Sequence, residues 1–215
     1  MREIEAHYNN EAQIYNQRYL ERIHLVEDYI VSEQIKSIYK KGQKLLDIGC
    51  GTGSVIRWGD VDKKDYTGVD ISGNMIVEAS KAFNGWKFVQ SDILLFKAPK
   101  VDRVVACYGQ VNYIGLHNFT KLMDRFLKAN GMFLWVMYAN KNNPDVVTPK
   151  SLQEIYTKSE IYGAFSRDWE VDVKPFSCPI FTSDYKSQQS YMEAKTINID
   201  HFPPKYFLVR GSRAS

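Results

Sequence analysis

Three glycines within five residues, Gly49, Gly51 and Gly53, directly follow the apolar run Leu45-Leu46-Asp47-Ile48. That juxtaposition restricts the fold more than any other stretch. A short buried strand that empties into a turn without side chains lets backbone N–H groups approach a ligand, because glycine lacks a Cβ and accepts positive φ at little steric cost. Ser54 follows as the expected start of a helix. Strand, glycine turn and helix in this order form the ligand-binding corner of an open α/β sheet.

Spacing narrows the ligand. A dinucleotide fingerprint, G-x-G-x-x-G, would place its third glycine at position 54, where the chain has Ser54; the third glycine is Gly53. This counts against a nicotinamide oxidoreductase. A second acid-ended strand, Tyr66-Thr67-Gly68-Val69-Asp70-Ile71, puts Asp70 about twenty residues past the loop, where nucleotide folds place a carboxylate on ribose hydroxyls. The plainer alternative is a solvated acid at a strand end.

LLDIGCGTG resembles the first motif of class I methyltransferases that use S-adenosyl-L-methionine. The resemblance implies that Gly49, Gly51 and Gly53 pass close to the methionine part of the cofactor. Asp47 would contact its amino end, directly or through water, and Asp70 and Ile71 would meet the ribose. Met75 would lie against adenine, unless it is simply a core methionine. After a third strand at Trp86–Gln90, Asp92 would accept from the adenine amino group while the Ile93 N–H meets a ring nitrogen; Asp92 as a helix cap is the alternative. Cys107 and Tyr108 would line the cofactor at the end of a fourth strand, Val101–Tyr108, a buried run that suits a parallel sheet.

The acceptor side is read from two stretches. His7 to Tyr19 sets tyrosines among polar residues, and an amphipathic ring suits a segment that closes over a ligand. It resembles the A-x-x-Y-D-like opening of small-molecule N-methyltransferases, with Ala12 and Tyr15 matching and Asn16 in place of the acid. By that likeness Tyr15 reaches the cofactor's amino-acid end or the acceptor, with Tyr19 nearby. Gly109-Gln110-Val111-Asn112-Tyr113-Ile114 would face the methyl group. It resembles the corresponding motif of small-molecule methyltransferases and lacks the prolines of the (D/N)-P-P-(Y/F) motif, which counts against DNA adenine methylation. His117 is a candidate general base, with capping or packing as the alternative.

The elements add up to a single α/β domain over 1–215: a Rossmann-like, seven-stranded, mostly parallel sheet with an antiparallel C-terminal edge hairpin and helices on both faces. Residues 1–40 read as a helical cap, with Val31, Ile35 and Ile38 on one stripe. Phe119, Leu122, Met123, Phe126 and Leu127 mark the clearest amphipathic helix, ended by Ala129-Asn130-Gly131. Residues 151–165 look helical, Trp169–Phe176 alternates as a half-exposed strand, and 139–203 offers acceptor-pocket elements including Tyr185, Tyr191 and His201.

With 28 basic and 25 acidic residues the charge is too even to imply a nucleic-acid partner. Three cysteines without a C-x-x-C pair point to a reducing compartment and no metal site. The absence of both a long apolar run and a signal-peptide core makes a cytoplasmic protein without a membrane partner the expectation. The expected reaction is in-line methyl transfer to a small-molecule amine or hydroxyl, releasing S-adenosyl-L-homocysteine. An RNA methyltransferase and a non-catalytic cofactor-binding module are the less favoured alternatives.

Overall fold

A computed structural model describes residues 2–18, 22–140, 150–176 and 204–214. Its strands are β1 (Leu45–Ile48), β2 (Tyr66–Asp70), β3 (Phe88–Gln90), β4 (Val101–Ala106), β5 (Leu127–Tyr138), β6 (Trp169–Phe176) and β7 (Tyr206–Arg213). They form one seven-stranded sheet in the order β3-β2-β1-β4-β5-β7-β6. Strands β1 to β5 pair in parallel, and β7 runs antiparallel to both β5 and β6. This is the Rossmann-like arrangement expected from the sequence. The order reverses between β1 and β4, so their C-terminal ends open a crevice where such sheets take ligands.

The helices are α1 (Arg2–Glu11), α2 (Tyr15–Arg18), α3 (Arg22–Ile38), α4 (Ser54–Gly59), α5 (Gly73–Ala82), α6 (Gln110–Ile114), α7 (Leu116–Phe126) and α8 (Lys158–Gly163). Side chains alternate along a strand, so each central strand feeds two cores. Leu46, Val104, Phe133 and Trp135 join Phe119, Met123 and Phe126 of α7 on one face. On the other face Leu45, Val105, Leu134 and Val136 meet Val31, Ile35 and Ile38 of α3.

Three local expectations need correction, and one holds. The N-terminal region is three helices, broken after Glu11 by a turn over Ala12–Ile14, because only Ile4 and Ala12 of the first segment find apolar cover. Helix α7 stops at Phe126 instead of Ala129–Gly131. Leu127 is already extended and pairs with Val101, after which the register jumps to Met132 opposite Arg103 and leaves Lys128–Gly131 as a bulge. The expected antiparallel edge hairpin is present, with β7 beside β5 and β6 at the edge, where Pro175, which has no N–H to donate, is tolerated. Between 151 and 165 a 3-10 turn at Lys150–Leu152 precedes the short α8, which is started by a capping box in which Thr157 and Glu160 exchange side-chain and backbone bonds. The 177–203 segment lies outside the described residues, and with it Tyr185, Tyr191 and His201.

Candidate active site

Strand β1 runs into the glycine turn, where Gly49, Gly51 and Gly53 have φ of +70°, +50° and +87°. The N–H groups of Gly49 and Cys50 both donate to the carbonyl of Val69, at 2.7 and 3.1 Å, which stitches the turn to the end of β2. The Cα of Gly49 is covered by the Gln110 side chain, and a Cβ on Gly53 would sit 2.9 Å from the Phe83 ring. Gly51 differs: a Cβ there would meet nothing within 4 Å. Its bare face looks into open space, as a cradle for a ligand requires.

Asp70 braces this turn. Its Oδ2 accepts from the Gly51 N–H at 2.9 Å and its Oδ1 from the Ser72 N–H at 2.8 Å. Burial pushes its pKa up, and these backbone bonds pull it back. A carboxylate has about four lone-pair sites, so two bonds leave capacity for ligand hydroxyls. The residue therefore has a structural duty that the sequence did not disclose. Asp47 is buried at the end of β1, accepts from the Tyr66 hydroxyl at 2.7 Å, and is pushed up to about 7. Burial is the main cause; the Tyr66 bond opposes it and the nearby Asp70 charge adds to it.

Above the turn lies a cleft of about 620 Å³, its open mouth included. Its walls bring together Tyr15, Asp47, Gly49, Gly51, Asp70, Ile71, Met75, Cys107 and Tyr108 of the residues singled out from the sequence. A smaller recess of about 330 Å³ shares Ile4, Gly49, Asp70, Ile71 and Gln110 with the cleft and adds Ser91 and Ile93. Gly53 stands just behind the wall as the residue preceding α4.

Two candidates are not brought into the cleft. Asp92 lines neither space; its Oδ1 accepts from the Leu94 N–H at 2.9 Å and so caps the turn after β3. His117 is exposed on the first turn of α7, outside both linings. Tyr19 lies outside the described residues. In the stretch after β4, Asn112 points away from the site: its amide donates to the carbonyls of Tyr138 and Glu154, at 3.0 and 2.6 Å, and accepts from the Tyr138 N–H at 2.8 Å. Gln110, Tyr113 and Ile114 of that stretch do face the cleft or its recess. Tyr108 holds φ +57°, an unusual backbone for a bulky residue, and its ring lines the cleft.

The sequence leads us to expect a segment closing over the ligand near the N-terminus, but not what fastens it. Helices α1 and α2 lie across the cleft, with Ile4 in both linings and Tyr8 and Tyr15 in the larger. Asn9 Oδ1 accepts from Ser72 Oγ at 2.7 Å and from the Asn74 N–H at 3.1 Å. Asn16 Oδ1 accepts from Thr52 Oγ1 at 2.7 Å, and the Tyr8 and Tyr113 hydroxyls are 3.1 Å apart. The signal available was the pair of asparagines set among tyrosines. Asn16, which stands where the resemblance calls for an acid, fastens the roof to the glycine turn.

The cleft fits the cofactor that the sequence implies. Gly51 leaves a face clear, and Asp70 keeps acceptor capacity beside Ile71. Two buried carboxylates in a cleft with no Lys, Arg or His in its described lining suit a ligand carrying positive charge. Among the described residues no cluster of His, Cys, Asp or Glu could hold a metal ion.

Comparison with known proteins agrees. Residues 45–131, from β1 to the bulge in β5, match the model of a methyltransferase domain family. An uncharacterized protein of Methanocaldococcus jannaschii is 29% identical over 136 residues, covering 62% of this chain and 51% of that protein. The chain thus spans about half the length of the curated relative it matches. Among solved structures, the DhpI–SAH complex superposes with a TM-score of 0.64 at 13% identity, covering 99% of this chain and 96% of that one. The plantazolicin methyltransferase BpumL, in complex with SAH, gives 0.59 at 17% identity, covering 100% and 90%. The geranyl diphosphate C-methyltransferase of Streptomyces coelicolor A3(2), with S-adenosyl-L-homocysteine, gives 0.59 at 15%, covering 86% and 80%. At such identities the likeness speaks for the fold, and the match to the methyltransferase domain family covers the glycine turn and the strands around it.

Proposed function

We propose that this domain methylates a small-molecule amine or hydroxyl held beneath the α1–α2 roof. The observation that carries this reading is the cleft's construction: it is covered by Ile4, Tyr8 and Tyr15, and its described lining contains no Lys or Arg. A nucleic-acid acceptor needs cationic side chains along its phosphates. The names of two similar structures, a plantazolicin methyltransferase and a geranyl diphosphate C-methyltransferase, lend support.

In this reading the Gly49–Gly51 turn, Asp47 and Tyr15 hold the amino-acid end of S-adenosylmethionine. Asp70 takes the ribose hydroxyls, and Ile71, Met75 and the Ser91–Ile93 recess take the base. Bound there, the cofactor would supply a methyl carbon on a positively charged sulfur that leaves as a neutral thioether, while the acceptor takes the methyl and its proton passes to bulk solvent as the product leaves. Placement then supplies most of the catalysis: the chain must hold the acceptor about 3–3.5 Å from that carbon, in line, and keep water out. Ile4 and the roof tyrosines exclude the water. Incubation with methyl-labelled cofactor and a metabolite extract should label a low-molecular-weight product. Label that appears only in added RNA, with a steep salt dependence, would overturn the small-molecule assignment.

A further inference from the structure

Gln110 stands where the cleft and its recess meet, and its residue lines both. Left-handed backbone puts it there: Tyr108 and Gly109, the two residues before it, have φ of +57° and +94° and turn the chain sharply between β4 and α6. Two residues later Asn112 pins α6 through its bonds to Tyr138 and Glu154, so the helix that carries Gln110 is fixed in place. The side chain folds back over the glycine turn. A Cβ on Gly49 would collide with the Cδ, Oε1 and Nε2 atoms of its carboxamide. Strain retained at the bulky Tyr108, beside a cleft and on so firm a platform, points to a neighbouring side chain held for a ligand.

The recess indicates which part of the ligand that is. Ile48, Val69, Ile93 and Ile114 give it apolar walls, and four polar side chains belong to its lining: Asp70, Ser91, Gln110 and Tyr113. Three of the four have partners. Asp70 braces Gly51 and Ser72, Ser91 Oγ donates to the Asp92 carbonyl at 3.1 Å, and the Tyr113 hydroxyl is 3.1 Å from that of Tyr8. The Gln110 carboxamide has no hydrogen-bond partner among the described residues. A ligand that fills the recess strips water from this amide and must then meet an acceptor and a donor set side by side. Adenine does so, because its amino group stands next to a ring nitrogen, and glutamine pairs with adenine in this way in nucleic acids. Asp92 is engaged elsewhere: it accepts from the Leu94 N–H and lines neither space.

We propose that Gln110 reads the base of the cofactor, its Oε1 accepting from the adenine amino group and its Nε2 donating to the neighbouring ring nitrogen. It takes the part that the family resemblance assigns to Asp92. This rests on the methyltransferase reading above and names the side chain that makes its cofactor site specific for adenine.

Calorimetry with two ligands tests this. One is S-adenosylhomocysteine, and the other is its analogue with purine in place of adenine, which lacks only the amino group. The parent chain should bind S-adenosylhomocysteine about tenfold more tightly than the analogue. Gln110→Met keeps the length of the side chain and the cover over Gly49 but removes the carboxamide, so the two affinities should converge. Asp92→Ala should melt lower and keep the tenfold preference. A preference that survives in Gln110→Met, an equal loss for both ligands there, or a preference abolished by Asp92→Ala would overturn the assignment while leaving the cofactor site standing. Failure of S-adenosylhomocysteine to bind the parent chain would overturn the cofactor site itself. The parent chain also gives a readout that needs no variant: the Gln110 side-chain amide protons should shift downfield in the nuclear magnetic resonance spectrum on saturation with S-adenosylhomocysteine, and unmoved signals would contradict the contact.

Discussion

The floor of the cleft is made by backbone and its roof by side chains. On the floor, Val69 accepts two N–H groups of the glycine turn and Asp70 ties Gly51 to Ser72, all within a few residues of buried strand ends. The roof, α1 and α2, is fastened through Asn9, Asn16 and the Tyr8 hydroxyl, each reaching a different loop. Each such bond contributes roughly 0.5–1.5 kcal/mol net, so the roof can lift while the floor, which shares the sheet's core, stays folded. The floor grips and the roof admits. The proposed function needs both, because a cofactor must enter and a product must leave.

Substitutions should separate the two regions, and the largest effect belongs on the floor. Asp70→Ala removes the brace on Gly51 as well as the ribose acceptor, and should weaken S-adenosylhomocysteine binding by roughly 2–4 kcal/mol in a calorimetric titration. Asp70→Asn, which keeps one carbonyl acceptor, should lose less. Unchanged affinity in both would show that Asp70 does not face the ligand. Next comes Gly51→Ala, which places a Cβ on the one clear face of the turn at φ +50°. Strain there costs on the order of 1–2 kcal/mol, and the cofactor loses contact with the turn, so both melting temperature and affinity should fall.

Asp47 gives a pH signature. Its pKa in the folded chain is raised to about 7, from near 3.8, so the folded state holds a proton that the unfolded state releases. The stability linked to this group is therefore full below about pH 3.8 and is lost as pH rises toward 7. Asp47→Asn should melt above the parent at pH 8, with the gap closing at pH 5. A positively charged amino group placed on Asp47 favours its ionised form, so cofactor binding should release protons between pH 5 and 7. Calorimetry in buffers of different ionisation enthalpy reads that release directly, and proton uptake would contradict the contact. The smallest effect belongs to the roof: Asn16→Ala should cost about 0.5–1.5 kcal/mol of cofactor affinity with little change in melting temperature, while amide exchange in α1 and α2 quickens.

The same division decides what the sequence could tell. Floor chemistry is local, so nine contiguous residues and an acid about twenty positions on disclosed the turn, the ligand class and the sheet around it. Roof chemistry is assembled by topology. Tyr8, Tyr113, Tyr138 and Tyr206 come together only because β5 and β7 are neighbours and α1 returns across their ends. In sequence each is one more amphipathic ring. His117 attracted notice as a lone histidine at the expected start of a helix, yet α7 turns that position to solvent while Phe119 and Met123 face the core. Asn112 sits where an acceptor ligand could be imagined, and only the pairing of its amide with Tyr138 and Glu154 reveals a brace between β5 and the following loop. The end of α7 was misjudged for a similar reason: pairing of Leu127 with Val101 across the sheet overrides a helical periodicity that continues through it.

A crystal structure of the protein grown with S-adenosylhomocysteine puts the floor to the most direct trial. The expected result is a ligand whose ribose hydroxyls lie about 3 Å from the Asp70 carboxylate and whose amino-acid end rests on the Gly49–Gly51 turn beneath Tyr15. Ligand bound elsewhere, or a cleft filled by the chain's own side chains with Asp70 still bound only to Gly51 and Ser72, would contradict it.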